Sequence, residues 1–139
     1  MKYEDITHII IGCAYKVFNQ LGYGFLESVY KKAMIIELMK DSLKVEAEKQ
    51  LTVYYDNQIV GDFYVDLFIE NEIIVELKSV KNLSKEHEVQ LVNYLNGLRK
   101  DIGLLINFDG FAKSRHSGEN RSPETLQLIE KTGFRLSPE

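Results

Sequence analysis

The chain has 139 residues, 45% hydrophobic and 27% charged, with a formal net charge of −4. That length suits one domain (1–139) with a substantial core, and the composition is ordinary for a soluble globular protein. A single cysteine, Cys13, excludes an internal disulfide framework and a cysteine-based zinc cluster, and the acidic balance argues against a general polyanion binder.

The charge is unevenly spread. Residues 1–77 hold 7 basic and 13 acidic side chains, whereas residues 78–139 hold 10 and 8. Any surface that faces a polyanion is therefore expected from the second half, as a local patch. The opening "MKYEDITHII" is acidic and its apolar run is too short for a secretory signal, and no stretch reaches the roughly 18 apolar residues of a membrane span. The expected location is the cytoplasm, without membrane contact.

Asp5 can cap a helix running to about Gln20, with Ile6, Ile9, Ile10, Cys13, Val17 and Leu21 at helical spacing. On that apolar face Cys13 reads as a buried, inert thiol. "GYG", Gly22 to Gly24, breaks the helix, and a second is expected from about Phe25 to Lys40 with Leu26, Val29, Ala33, Ile36 and Met39 inward. The period then changes to two. Strands over about Lys44–Tyr55, Gly61–Ile69 and Ile73–Val80, separated by "DNQ" and "ENE", indicate an antiparallel meander.

Ser84 caps a third helix, Lys85 to about Lys100. On it His87, Gln90 and Tyr94 form a polar stripe beside Val89, Val92 and Leu95. "IGLLINF", Ile102 to Phe108, reads as a buried strand. "FAKSRHSGENRS", Phe111 to Ser122, reads as a polar loop, and Lys81, Lys85, Arg99, Lys100, Lys113, Arg115 and Arg121 fit a phosphate-facing patch or, equally, scattered solvated charges. "SPE" at 122–124 predicts a last helix ending at Gly133, with "FRL" as a closing strand or tail. The order ααβββαβα predicts an α/β (α+β mixed) fold, a central mixed sheet flanked by helices.

"VDLFIENEIIVELKSV", Val65 to Val80, holds Asp66, Glu76 and Lys78 inside an apolar strand pattern. Buried unpaired charges cost several kcal/mol each, so a chain that keeps three has a use for them. Glu76 and Lys78 share a strand face. A three-residue loop Glu70–Glu72 pairs Ile69 with Ile73 and sets Asp66 opposite Glu76; a two-residue loop would send Asp66 to the other face. The first register also gathers Phe63, Val65, Leu67, Ile69, Ile73, Val75 and Leu77 on one apolar face. Opposed carboxylates suit Mg²⁺ or Mn²⁺, with a lysine beside them to stabilise developing negative charge. The same pattern also fits a cross-strand salt bridge with no chemistry.

Asp66, a hairpin and then Glu76-Leu77-Lys78 resemble the D…(D/E)xK signature of the PD-(D/E)XK nuclease superfamily. "GFLESVY", Gly24 to Tyr30, is similar to the GxxExxY signature of a small family within it. "QLVNY", Gln90 to Tyr94, resembles the QhxxY motif of its RecB-like members. Val65 stands where the superfamily name has proline. The resemblance spans roughly Ile6 to Phe108 and implies a restriction-endonuclease-like core. It implies metal ligation by Asp66, Glu76, the Leu77 carbonyl and Glu27, catalysis by Lys78 with Asp66 and Glu76, and an active-site or nucleic-acid-contacting position for Gln90, Tyr94 and Tyr30. Read from the residues alone, Glu27 fits better as an ordinary first-turn glutamate, Tyr30 as a core residue and the third-helix stripe as a solvated face.

A metal-dependent nuclease acting on nucleic acid, DNA ahead of RNA, is the activity this implies. A domain this compact, with no recognition module, is expected to use a partner protein or a homodimer to hold its substrate. The alternative is a nucleic-acid-binding or protein-interaction module on the same fold, without chemistry.

Overall fold

Ile6, Ile10, Cys13, Ala14, Val17 and Phe18 recur at helical spacing and form the buried face of α1 (Tyr3–Leu21). The computed structural model describes residues 3–109 and 126–130. After α1 come α2 (Glu27–Lys40), β1 (Val45–Tyr55), β2 (Gln58–Ile69), β3 (Ile73–Lys78), α3 (Lys85–Leu98), β4 (Ile102–Asn107) and β5 (Leu126–Glu130). The strands form one sheet in the order β1-β2-β3-β4-β5. β3 and β4 run parallel, joined through α3, and the other neighbours are antiparallel. This is the mixed sheet of a restriction-endonuclease-like fold. Among the described residues no helix is long and apolar enough to cross a membrane.

Each sheet face has its own core. Leu67, Ile69, Ile73, Val75 and Leu77 pack under α1 and α2, while Leu51, Val65, Phe68, Ile74 and Leu105 pack under α3. Cys13 is buried, and its Sγ donates to Asp41 Oδ2 at 3.3 Å. Burial foremost, then the Asp41 contact, pushes its pKa up to about 12, which makes the thiol inert.

Three expectations are corrected. α2 is rotated: Tyr30, Met34 and Leu38 are its buried residues, while Leu26, Ile36 and Met39 are exposed. Apolar residues lie on both sides of this helix, and a long-range contact settles its phase. The Tyr30 ring stacks on Phe108 with centroids 4.2 Å apart. On α3 the buried set is Leu91, Tyr94 and Leu95, and Val89 is exposed.

Second, residues 126–130 of the expected last helix are the strand β5, paired antiparallel with β4 from Ile106↔Leu126 to Ile102↔Glu130. Leu126 and Leu128 join one core and Ile129 the other, a period of two that completes both layers beside the otherwise unpaired edge of β4. The polar loop, Lys113, Arg115, Arg121, the "SPE" cap and "FRL" lie outside the described residues.

Third, the single apolar face of the hairpin does not hold along its whole length. Leu67 and Ile69 face α1 and α2, but Val65 lies in the α3 core, and Phe63 packs on Tyr94 of α3. The alternation resets at Asp66.

Candidate active site

The β2–β3 ladder runs Ile69↔Ile73, Phe68↔Ile74 and Leu67↔Val75, the register that a three-residue loop dictates. Glu70 and Asn71 turn that loop with φ of 54° and 57°. The ladder ends one residue before Asp66 and Glu76, and side chains take over from the backbone. Glu76 Oε2 accepts the Asp66 N–H at 2.8 Å, and Asp66 Oδ2 accepts the Leu77 N–H at 2.8 Å. On its other flank, the β1–β2 ladder skips from Ala47↔Leu67 to Lys49↔Val65, where Glu48 has φ of 55°. Asp66 is thus left out of both neighbouring ladders, and its side chain bonds the β3 backbone instead.

Glu76 is only 6% exposed. Burial, and then the nearby Asp66 charge, push its pKa up to about 8, against the opposing effects of the Asp66 N–H, Lys78 and Lys31. This carboxylate is short of positive charge. Lys31 Nζ, reaching from α2, lies 3.6 Å from Asp66 Oδ1 and also pairs with Glu48. Burial acts to lower the Lys31 pKa, but the Glu48 hydrogen bond and the Asp66 and Glu48 charges outweigh it, so the net shift is upward. Sequence reasoning missed Lys31. Its signal was the four-residue step from Glu27, which puts both on one face of α2.

Glu27 opens α2, and its Oε2 accepts the Ser79 N–H at 3.3 Å. Ser79 Oγ donates to the Phe25 carbonyl at 3.1 Å. These two bonds dock the start of α2 onto the chain leaving Lys78. Tyr30 does not line an opening: it is fully buried, and its hydroxyl donates to the Gly22 carbonyl at 2.7 Å while accepting the Phe25 N–H at 3.3 Å. Its part is to fix the glycine turn from which Glu27 projects. Asn107, also missed, is fully buried beside Lys78 in the parallel register. Its side chain accepts the Val80 N–H at 3.0 Å and donates to the Val80 carbonyl at 2.9 Å, holding the exit of β3.

From the opposite layer α3 presents Gln90 and Tyr94. Burial foremost, then the Glu76 and Asp66 charges, raise the Tyr94 pKa, while a hydrogen bond from Gln90 works the other way. Tyr94 therefore stands within electrostatic reach of the carboxylate pair. His87 serves the helix itself, its Nδ1 accepting the Ser84 N–H at 3.1 Å in a capping box.

Asp66 and Glu76 thus meet at one end of the β2–β3 pair, with Lys78 two residues further along β3 and Glu27 bonded one residue beyond it, while Gln90 and Tyr94 stand on α3. Among the described residues no three or more His, Cys, Asp and Glu side chains cluster closely enough to hold a metal by themselves. The donors that do converge are two carboxylates, an all-oxygen set of the kind that takes a hard divalent cation with water or phosphate completing its shell. A buried carboxylate whose charged form is disfavoured fits that cation, because its charge would relieve the repulsion.

No curated protein and no solved structure matches the chain. A family model described as the PD-(D/E)XK nuclease superfamily matches residues 4–118. That span contains all but the first residue of α1, the elements from α2 to β4, and every residue of the candidate site. By this match, the chain belongs to the PD-(D/E)XK nuclease superfamily.

Proposed function

We propose that this protein is a divalent-metal-dependent nuclease that hydrolyses phosphodiester bonds in nucleic acid. The observation that carries the reading is the pair Asp66 and Glu76, cross-linked through each other's strand backbone in a buried setting where one carboxylate resists ionisation. In this reading Asp66, Glu76 and the Leu77 carbonyl hold Mg²⁺ or Mn²⁺, and Glu27 adds a ligand directly or through water. The bound cation supplies polarisation of the scissile phosphate and a lowered pKa for an attacking water. Lys78, next in the strand, neutralises charge that develops on the phosphate. The Ser79 bonds to Glu27 and Phe25, with the Asn107 clamp on Val80, keep Lys78 from swinging away as the strand ends. Lys31 holds Asp66 from the α2 side. The GxxExxY signature, with Tyr30 anchoring the turn before Glu27, supports placing the chain in that smaller family. The cytoplasm, a single domain and a homodimer or partner protein belong to the same reading.

Incubating the purified protein with single- and double-stranded oligonucleotides in Mg²⁺, Mn²⁺ or EDTA tests it. Cleavage that needs the metal and disappears in Lys78→Ala supports the reading. A second reading, a binding module without chemistry, draws support from the lack of a third clustered acid among the described residues. Nucleic-acid binding with no cleavage under any metal would favour that module.

A further inference from the structure

Between α3 and the β1–β2 hairpin lies a cavity of about 750 Å³. Leu51, Val53 and Phe63 form its hairpin wall, and Val89 its helix wall. Phe63 is 40% and Val89 49% exposed, so both are apolar surfaces left without cover. The polar groups on the wall are mostly amides, Gln90, Asn93 and Asn96, which recur every three residues along α3. Among the described residues, Lys85 and Glu86 are its only charged side chains, one of each sign. Such a wall does not select a polyanionic backbone.

We propose that this cavity receives an unpaired nucleobase of the substrate strand, so that the preferred substrate is single-stranded or presents an extruded base. The inference rests on the nuclease reading of Asp66 and Glu76. Three observations support this occupant. The exposed Phe63 ring, 5.9 Å between centroids from Tyr94, gives a face on which a base can stack. The amides carry both donors and acceptors, as the edge of a base does. Phe63 of the cavity wall stands on β2 three residues before Asp66, and Tyr94 packs in one core with Val65 and Ile74, so a seated base lies along the strand that leads to the pair. The volume is in the range of small-ligand sites and suits a nucleotide rather than a duplex, whose paired bases could not enter.

The test uses a single-stranded oligonucleotide carrying one 2-aminopurine, and the same strand with an abasic nucleotide at that place, both in EDTA to prevent cleavage. The parent protein is expected to quench the 2-aminopurine and to bind the base-containing strand about 10-fold more tightly, as one stacked base allows. Phe63→Ala, which removes the ring, and Val89→Trp, which fills the cavity, should each bring that ratio close to one; thermal melts confirm that both fold. In parallel, hydrolysis of bis(p-nitrophenyl) phosphate with Mn²⁺ by the parent, and its loss in Asp66→Asn, reports on the metal site without any base. Hydrolysis of that ester together with equal binding of both strands overturns the base pocket and leaves the nuclease reading standing. Base-dependent binding without hydrolysis supports the pocket and removes the reading it rests on. A concentration-dependent dimer that Val89→Trp dissociates overturns the pocket, because the cavity is then a contact between two copies.

Discussion

The carboxylate of Glu76 accepts the backbone N–H of Asp66 at 2.8 Å, so the two acids are tied together although their charges repel. A ladder bond between main chains would have held the strands equally well. The chain instead gives this position to a buried acid whose charged form is disfavoured, and that arrangement underlies the predictions below.

Glu76 should make the metal-free protein less stable as pH rises. Its pKa in the fold, about 8, lies above the ordinary glutamate value of about 4.3 in the unfolded chain. The folded state therefore binds the proton more tightly, and the stability it adds is full below about pH 4 and fades as pH climbs towards about 8. Glu76→Gln keeps an oxygen to accept the Asp66 N–H and removes the titration. Denaturant unfolding in EDTA is expected to show the variant more stable than the parent at pH 8, on the order of a few kcal/mol, with the gap closing near pH 4.

Tyr30→Phe tests whether this tyrosine builds the site without lining it. The variant loses the hydroxyl's bonds to Gly22 and Phe25 but keeps the stack on Phe108. About 1–2 kcal/mol of stability should go with them, at about 0.5–1.5 kcal/mol per bond. Cleavage should fall by less than in Lys78→Ala, because no group at the carboxylate pair is removed.

Lys78→Ala should abolish cleavage at a modest cost in stability. Lys78 is not the only cation beside the acids, since Lys31 approaches Asp66 and both lysines oppose the rise in the Glu76 pKa. About 1 kcal/mol in EDTA is expected, and less with Mg²⁺ present, measured by thermal melts. A loss of 3–5 kcal/mol, as when a buried pair is broken, would make Lys78 an architectural residue.

The hairpin at the site was legible because parity is a strict rule: one loop length gave the register, and Ile69 does pair with Ile73. What escaped depended on distant partners. α2 carries Val29, Ala33 and Ile36 on one side and Tyr30, Met34 and Leu38 on another, and packing against distant residues, the Tyr30 stack on Phe108 among them, decides between them. "SPE" is a sound local helix signal, yet the edge of β4 takes residues 126–130 as a strand. Lys31 shares a face of α2 with Glu27, but that spacing does not reveal its contacts with Asp66 and Glu48 on the neighbouring strands. Val65 changed layers because neither ladder pairs Asp66, a break that strict alternation does not foresee.

The most direct test of the carboxylate pair as a metal site is a calorimetric titration of Mn²⁺ into the parent and into Asp66→Asn, with melting curves of both. Asparagine can still accept the Leu77 N–H, while the repulsion with Glu76 disappears. The expected result is saturable binding in the parent that is absent in Asp66→Asn. The metal-free variant should melt at or above the parent, and metal at about 100 times its Kd should stabilise the parent alone by about 2.7 kcal/mol. Identical heats in the two proteins, or an Asp66→Asn destabilised by about 3–5 kcal/mol beside a parent indifferent to metal, would contradict the account and leave these charges as architecture.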